Sequence, residues 1–333
     1  MRIIVDGMGG DHAPLQILKG CEQAVRELGV QITVTGPEPA LREVMRSEGI
    51  DPSGIDIADA PDVISMEDDP LSVVKDKKNS SMGLALRMLS GGEGDALVSA
   101  GNSGALLAGG TLVLRRIKGV KRAAFAPVMP TAEGHVMIID SGATVDCRPE
   151  FMAQYGVMGS AYMKRIFGLQ SPRVGLANNG SEECKGTQLY VEAHKLLKAD
   201  GRINFVGNVE GRGIMLGDCD VLVADGFTGN LILKTLEGMG SFLIKELKGM
   251  FYANLLTKLA ALMLSSKLKP FKKKADYKEI GGAVLLGLTA PVIKAHGSSD
   301  ARALKTAVRQ AAAMARADIT ADIARAMAPS EEA

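Results

Sequence analysis

The sequence predicts an α/β protein, a three-layer arrangement with a mainly parallel sheet covered by helices on both faces. Three observations carry that prediction. Short runs rich in β-branched residues recur along all 333 residues. Stretches of helical periodicity lie between them, several closed by a glycine. No linker or internal repeat divides the chain, so residues 1–333 read as one α/β domain. A composition of 46% hydrophobic and 23% charged residues supplies ample core for it.

Taken in order, "RIIV", "QITV", "GIDIA", "DALVSAG", "GHVMIID", "RVGLANNG", "INFVGNV" and "DVLVADG" read as strands. "PLQILKGCEQAVRELG", "PALREVMRSEG" and "TQLYVEAHKLLKADG" read as the helices between them. The rhythm breaks after Thr235. From there to Lys274 no strand pattern occurs, and residues 235–278 are expected to form a helical hairpin that leaves the α/β body. A last long helix begins near Ala301 and runs toward a loose tail.

Bulk properties exclude several classes. Lys+Arg 39 against Asp+Glu 38, with no Trp and 4% aromatics, leaves neither the charge nor the stacking platforms of a nucleic-acid binder. Cys21, Cys147, Cys184 and Cys219 make no C-x-x-C and no metal-ligand spacing, which suits a reducing cytoplasm and inert thiols. No metal site is expected. Met1 leads directly into a strand, so no signal peptide is expected, and no apolar run is long enough to span a bilayer.

The candidate chemistry sits at strand ends. In "MRIIVDGMGGDHAP" the glycines permit close backbone approach, but a dinucleotide fingerprint fails because His12 occupies the third glycine's place. Asp6, Asp11 and His12 form a polar strand end of another kind. Gly101, Asn102, Ser103 and Gly104 open a helix after the fourth strand; Asp225, Thr228, Gly229 and Asn230 repeat the arrangement later. Asn178, Asn179, Gly180 and Lys185 stand at another strand end, and His296, Ser298 and Ser299 precede the last helix. Lys77 and Lys78 lie just before a Ser80–Ser81 helix start. Such starts bind anions through free N–H groups and the macrodipole, but the same residues also make ordinary caps and turns. Asp6 and Asp225 are equally suited to bracing loops, and His12 and His296 to structural roles. Their number in one chain points to a phosphate-bearing ligand.

These segments also carry a resemblance. "DGMGGDHAP", "SMEDDPLSVVKDKKNSSM", "SAGNSGAL", "DSGATVDCRPE", "NNGSEECKGT", "ADGFTGNLILKTLEG" and "GGAVLLGL…HGSSDA" come in the order found in the bacterial phosphate acyltransferase (PlsX) family. The resemblance covers residues 1 to about 310. The chain departs at Lys75 and Asp76, where arginines are commoner, and at Ala123, where proline is expected. The resemblance implies a fold like isocitrate and isopropylmalate dehydrogenases, usually as a homodimer. It implies transfer of a fatty acyl group from acyl carrier protein to orthophosphate, giving acyl phosphate for phospholipid synthesis, without a cofactor. Asn102, Ser103, Lys185 and Asn230 are then expected to converge on phosphate and the tetrahedral oxyanion. Asp6, His12, Lys77, Lys78, Ser80, Ser81, Gly101, Gly104, Asp225, Thr228, Gly229 and His296 would line the substrate site. Rival readings are a phosphotransacetylase using coenzyme A, a nicotinamide dehydrogenase on the same fold, and a non-enzymatic membrane scaffold for acyl carrier protein.

Two surface expectations complete the reading. Arg115, Arg116, Lys118, Lys121 and Arg122 form a basic segment suited to an acidic carrier protein. Within the hairpin, Leu255, Leu259, Leu262 and Met263 fall on one helical face beside Leu256. Lys258, Lys267, Lys269 and Lys272 to Lys274 flank them, a pattern suited to peripheral docking on an anionic membrane or to a dimer interface.

Overall fold

The computed structural model describes residues 1–264, 266 and 281–328. Lys267, Lys269, Lys272 to Lys274 and the rest of the expected hairpin to 278 lie outside them, as does the tail after Ala328. The chain begins with β1 (Arg2–Asp6), α1 (Leu15–Leu28), β2 (Gln31–Gly36), α2 (Glu38–Glu48) and β3 (Ile55–Asp59). It continues with α3 (Ser81–Ser90), β4 (Ala96–Ser99), α4 (Ser103–Gly109), β5 (Ala124–Ala126), β6 (Val128–Pro130) and β7 (His135–Ile139). Then follow α5 (Pro149–Phe167), β8 (Arg173–Asn178), α6 (Gln188–Ala199), β9 (Asn204–Glu210), α7 (Gly211–Ile214) and β10 (Val221–Val223). After α8 (Gly226–Tyr252) and α9 (Leu255–Met263) the chain returns through β11 (Ala283–Leu286) and β12 (Val292–Lys294). The expected single last helix is two, Ala301–Ala317 and Ile319–Met327, broken where Asp318 takes a left-handed conformation at φ 50°.

The α/β class holds, but the strands divide between two sheets where the alternation suggested one. Seven strands run β3-β2-β1-β4-β12-β11-β5 and five run β6-β7-β10-β8-β9. Pairing is parallel except at β11 and between β6 and β7. The division falls at Pro127, between β5 and β6. Proline has no N–H to continue a ladder, and the run "AFAPVMP" changes sheets there.

Burial explains why the strands read as continuous apolar runs. Ile3, Ile4 and Val5 of β1 are fully buried, Ile3 and Val5 in one core cluster and Ile4 in another across the sheet. A parallel strand covered on both faces has no solvent side to record as alternation. The cluster containing Ile3 and Val5 also takes in Met137, Val174 and Val221 of the second sheet, so one core joins the two.

Register sets the functional geometry. Val5 of β1 lies beside Val98 of β4, and Ser99 lies beside Lys294 of β12. Asp6, Ser99 and Lys294 therefore end three adjacent strands in one row. In the second sheet Ile139, Val223 and Leu176 are aligned, bringing Asp140 and Asp225 to the corresponding edge.

α8 and α9 depart from this body, as the broken rhythm after Thr235 suggested. Only Gly226, Gly229 and Leu233 of α8 are buried, and no residue of α9 is. Leu255, Leu256, Leu259, Leu262 and Met263 are all more than half exposed. Among the described residues no helix is long and apolar enough to cross a membrane.

Candidate active site

A cleft of about 470 Å³ lies between the two sheets, within the usual size range of small-molecule sites. Ser103, Lys294 and His296 line it from the first sheet, Ser141, Gly142 and Asn230 from the second. Phe125, Val128 and Leu233 add apolar surface between these polar walls.

The first wall is built on Asp6. Its buried carboxylate accepts from Ser99 Oγ at 2.7 Å and from the Met8 N–H at 3.3 Å. Burial raises its pKa, against the pull of hydrogen bonds from Ser81 and Ser99 and the Lys294 charge. Ser99 Oγ in turn accepts from the Gly101 N–H at 3.1 Å. The N-terminal loop presses onto this row. A Cβ on Gly9 would stand 2.5 Å from the Gly101 nitrogen and 2.8 Å from Asp6 Oδ2, an approach no other residue allows. Asp11 joins the lining and donates its N–H to the Gly297 carbonyl at 2.8 Å.

His296 is held by its own turn. Its Nδ1 accepts from the Ser298 N–H at 3.2 Å, which places the proton of the neutral ring on Nε2. Burial lowers its pKa, and the charge of Lys234 adds to that. His296 is therefore a neutral donor at physiological pH.

Asn102 serves the wall from within. Its Oδ1 accepts from the Ala105 N–H at 3.1 Å as the cap of α4, and its Nδ2 donates to the Ser65 and Met66 carbonyls, each at 3.2 Å. Both ends of the amide are thus bound to main chain, and the next residue, Ser103, is the one that lines the cleft. At Gly104 a Cβ would stand 2.9 Å from the Pro70 ring, too close for any side chain without a shift.

Two carboxylates shape the second wall. Asp140 is fully buried and accepts from four backbone N–H groups, those of Phe125, Gly142, Ala143 and Thr144. Burial nonetheless outweighs these bonds and raises its pKa to about 6. Asp225 caps α8, accepting from the Phe227 and Thr228 N–H groups, while Tyr190 and Thr228 hydroxyls donate to its second oxygen. Burial of Asp225 acts to raise its pKa, but this donor set prevails and the pKa is lowered. The bracing expected of Asp225 is what the geometry gives, with Thr228 turned toward it. Gly229 lets α8 meet the Asp140 turn, because any Cβ there would fall 1.9 Å from the Asp140 carbonyl oxygen. Asn230 then faces the turn, with its side-chain carbon 3.8 Å from the position of a Cβ on Gly142.

Other expected residues stand elsewhere. His12 is exposed and not among the cleft-lining residues. Lys185 is exposed in the loop after β8, its stem folded over Gly180 and its carbonyl accepting from Asn178 Nδ2 at 3.1 Å. Lys77 is bound internally, to Asp68 at 2.6 Å and to the Val63 carbonyl at 3.1 Å. Lys78 is exposed, and its carbonyl accepts from Arg87. Ser80 caps α3 and Ser81 is buried beside it, its carbonyl accepting from Thr35 Oγ1. The basic segment Arg115–Arg122 follows α4 and a π-helical turn, and none of its residues is among those that line the cleft. It does not join the site, and Arg122 lies 5.7 Å over the Phe151 ring.

Sequence reasoning missed Lys294, Asp140 and Tyr190. Lys294 ends the apolar run "PVIK", and a lysine closing a buried strand was the available signal. Asp140 ends "GHVMIID" in the same way. Tyr190 lies inside a helical pattern and announced nothing.

Two sheets with a cleft between their strand ends, lined by Lys234, Lys294 and His296, define an α/β protein with a candidate small-molecule site. The comparisons narrow this class. The model of the family described as fatty acid synthesis protein matches residues 1–322. The chain is 47% identical over 312 residues to a phosphate acyltransferase from Clostridium perfringens (strain SM101 / Type A), covering 93% of this chain and 92% of that protein. It is 44% identical over 326 residues to a phosphate acyltransferase from Clostridium acetobutylicum, covering 98% of each. The chain belongs to this family and is an acyltransferase. Solved structures agree on the fold. A phosphotransacetylase from Streptococcus pyogenes superposes with TM-score 0.63 at 15% identity, covering 95% of this chain and 94% of that one. A 4-hydroxythreonine-4-phosphate dehydrogenase from Klebsiella pneumoniae gives 0.56 at 15%, covering 95% and 99%. The dehydrogenase-like architecture expected from the sequence is present.

Proposed function

We propose that the cleft transfers a fatty acyl group from acyl carrier protein to orthophosphate. The observation that carries this reading is the cleft itself, whose polar walls offer amide, hydroxyl, imidazole and ammonium donors around an apolar middle. An oxygen of HPO₄²⁻ attacks the thioester carbonyl carbon, forming a C–O bond and a tetrahedral oxyanion. Collapse breaks the C–S bond, and the proton originally on phosphate ends on the departing thiolate. A thiol of pKa about 8.5 leaves without strong acid assistance. The work left to the protein is positioning and stabilisation of charge by fixed donors.

In this reading Asn230 and Ser103 face the reacting atoms, with His296 as a neutral donor. Asn102 and Asp225 are positioning residues, and Lys185, exposed in the loop after β8, adds positive charge at that strand end. The exposed apolar face of α9 docks on an anionic membrane surface as a homodimer projects it, delivering a labile, lipid-like product at the bilayer. Burial of each leucine contributes a gross ~1.5–3 kcal/mol, enough in sum for reversible attachment. The test is to incubate the protein with phosphate and either acyl-acyl carrier protein or acyl-CoA, trapping acyl phosphate with hydroxylamine. Faster trapping from the carrier-bound acyl group is expected. Product from acyl-CoA alone, or none from either donor, overturns the reading.

A further inference from the structure

Lys294 is one of the two lysines that line the cleft, and its surroundings are unusual for an ammonium. It ends β12 beside Ser99, one strand from Asp6, and its Nζ donates to the Ala295 carbonyl at 2.6 Å and the Ala100 carbonyl at 3.3 Å. Both partners are neutral. Among the described residues no carboxylate comes within 4.0 Å of it, although surface lysines such as Lys19 and Lys305 have such partners at 2.8 and 2.7 Å. A desolvated charge is costly unless it is paired. Here two N–H directions are fixed by main chain, and the residue lines an open cleft.

Building on the acyl-transfer reading above, we infer that Lys294 is the counter-charge of bound orthophosphate, the residue that fixes the nucleophile against the first wall. The groups that face it fit this role. Asp6 is tied to Ser99 and Met8, and its charge reaches the ammonium without an ion pair within 4.0 Å. Asp11 stands at the rim, while Lys234 from α8 adds a second positive charge and is itself paired to Glu237 at 2.7 Å. A dianion entering between these groups would relieve the repulsion of the two lysines and complete the third N–H of Lys294. The carboxylates of the second wall are occupied by backbone and hydroxyl donors, whereas Lys294 on the first wall keeps a third N–H for phosphate. Such a division sets the phosphate oxygen toward the middle of the cleft, where the thioester carbonyl faces Asn230.

Electrostatics supplies a signature. Burial, with the repulsion of Lys234, lowers the Lys294 pKa to about 8, partly opposed by Asp6 and Asp11. A bound anion favours the charged form and raises that pKa, so binding takes up a proton at alkaline pH. Affinity for phosphate then falls as pH rises above about 8, a range in which phosphate itself stays dianionic.

The experiment measures inorganic phosphate binding by calorimetry, without acyl donor, on the full chain. Lys294→Gln is expected to weaken binding on the order of 10- to 100-fold, with Lys294→Arg recovering part of the loss. Wild-type affinity should fall between pH 8 and 10, with proton uptake revealed by buffers of different ionisation heat. Unchanged binding in a folded Lys294→Gln, or a pH-independent wild-type affinity, overturns the inference; the latter decides it even where the variants do not fold. Failure of wild type to bind phosphate overturns it also. The hydroxylamine assay reads separately: acyl phosphate formed with binding indifferent to Lys294 leaves the function standing and removes this role, and the reverse result does the opposite.

Discussion

The two walls of the cleft use the same residue type in different ways. Both end their strands with buried aspartates, Asp6 on one side and Asp140 with Asp225 on the other. On the first wall Asp6 is linked through Ser99 to the Gly101 N–H and lies beneath a lysine. On the second, both carboxylates are saturated by backbone N–H groups and hydroxyls, and among the described residues no lysine lines that edge apart from α8's own Lys234. The contrast teaches that carboxylates here are scaffolding. In the proposed reading, reactive contact falls to Lys294 on one side and to neutral donors such as Asn230 on the other, an arrangement suited to a reaction needing charge placement more than proton removal.

The largest effect should come from closing the gap between α8 and the Asp140 turn. Gly229→Val places a branched side chain against a carbonyl oxygen that already leaves 1.9 Å for a Cβ. The start of α8 must shift, taking Asn230 with it, so acyl-phosphate formation should vanish while melting temperature drops. Retained turnover would show that the second wall does not depend on this contact.

Asp225→Ala is expected to act less severely, removing a helix cap at a typical cost of ~1–2 kcal/mol and freeing Tyr190. Denaturant unfolding should register that loss, with the corresponding change at the exposed Asp51 near zero. Equal losses at the two sites would erase the distinction between scaffold and surface carboxylates.

A smaller effect is confined to pH. Asp140 has a folded pKa of about 6, above the ordinary carboxylate value. The folded state therefore holds a proton that the unfolded state releases, and Asp140 makes stability fall as pH rises from about 4 to about 6, flattening above. Asp140→Asn should remove that slope from the stability profile measured by urea unfolding. A slope unchanged in the variant would assign it to other groups.

Much of this was legible in the residues. β1, β2, β7, β8 and β10 read plainly, since buried strands give unbroken apolar runs, and β9 read from the run "INFVGNV" although only its Val209 is buried. β5, β6 and β12 did not; each is three residues long, and unlike the equally short β10, which sits in the apolar run "DVLVADG", they are bounded by prolines or alanines that read as turn or helix. The division into two sheets rested on Pro127, one residue that reads equally well as a turn. At the site, caps such as Asn102 and Asp225 were visible because a cap is a local pattern. Their partners were not: Tyr190 reaches Asp225 across 35 positions and Asp6 meets Ser99 across 93. Lys185 is a cation at a strand end that local pattern brings to mind for the site, while the fold leaves it exposed in the loop after β8 and outside the cleft lining.

The smallest expected effect on chemistry lies outside both walls. Leu259→Glu with Leu262→Glu alters residues 58% and 70% exposed, so turnover and stability should stay near wild type. Flotation with anionic liposomes should be lost. A variant that still floats would show that this face does not touch lipid.

The division of labour is tested most directly by the kinetics of Asn230→Ala with phosphate varied and acyl phosphate trapped. The account predicts a fall in kcat of ~10²–10³, the usual consequence of losing one oxyanion donor. The KM for phosphate should stay within about 2-fold, because phosphate is held by the opposite wall. A folded variant with near wild-type kcat, or one whose loss appears wholly in the KM for phosphate, would contradict it.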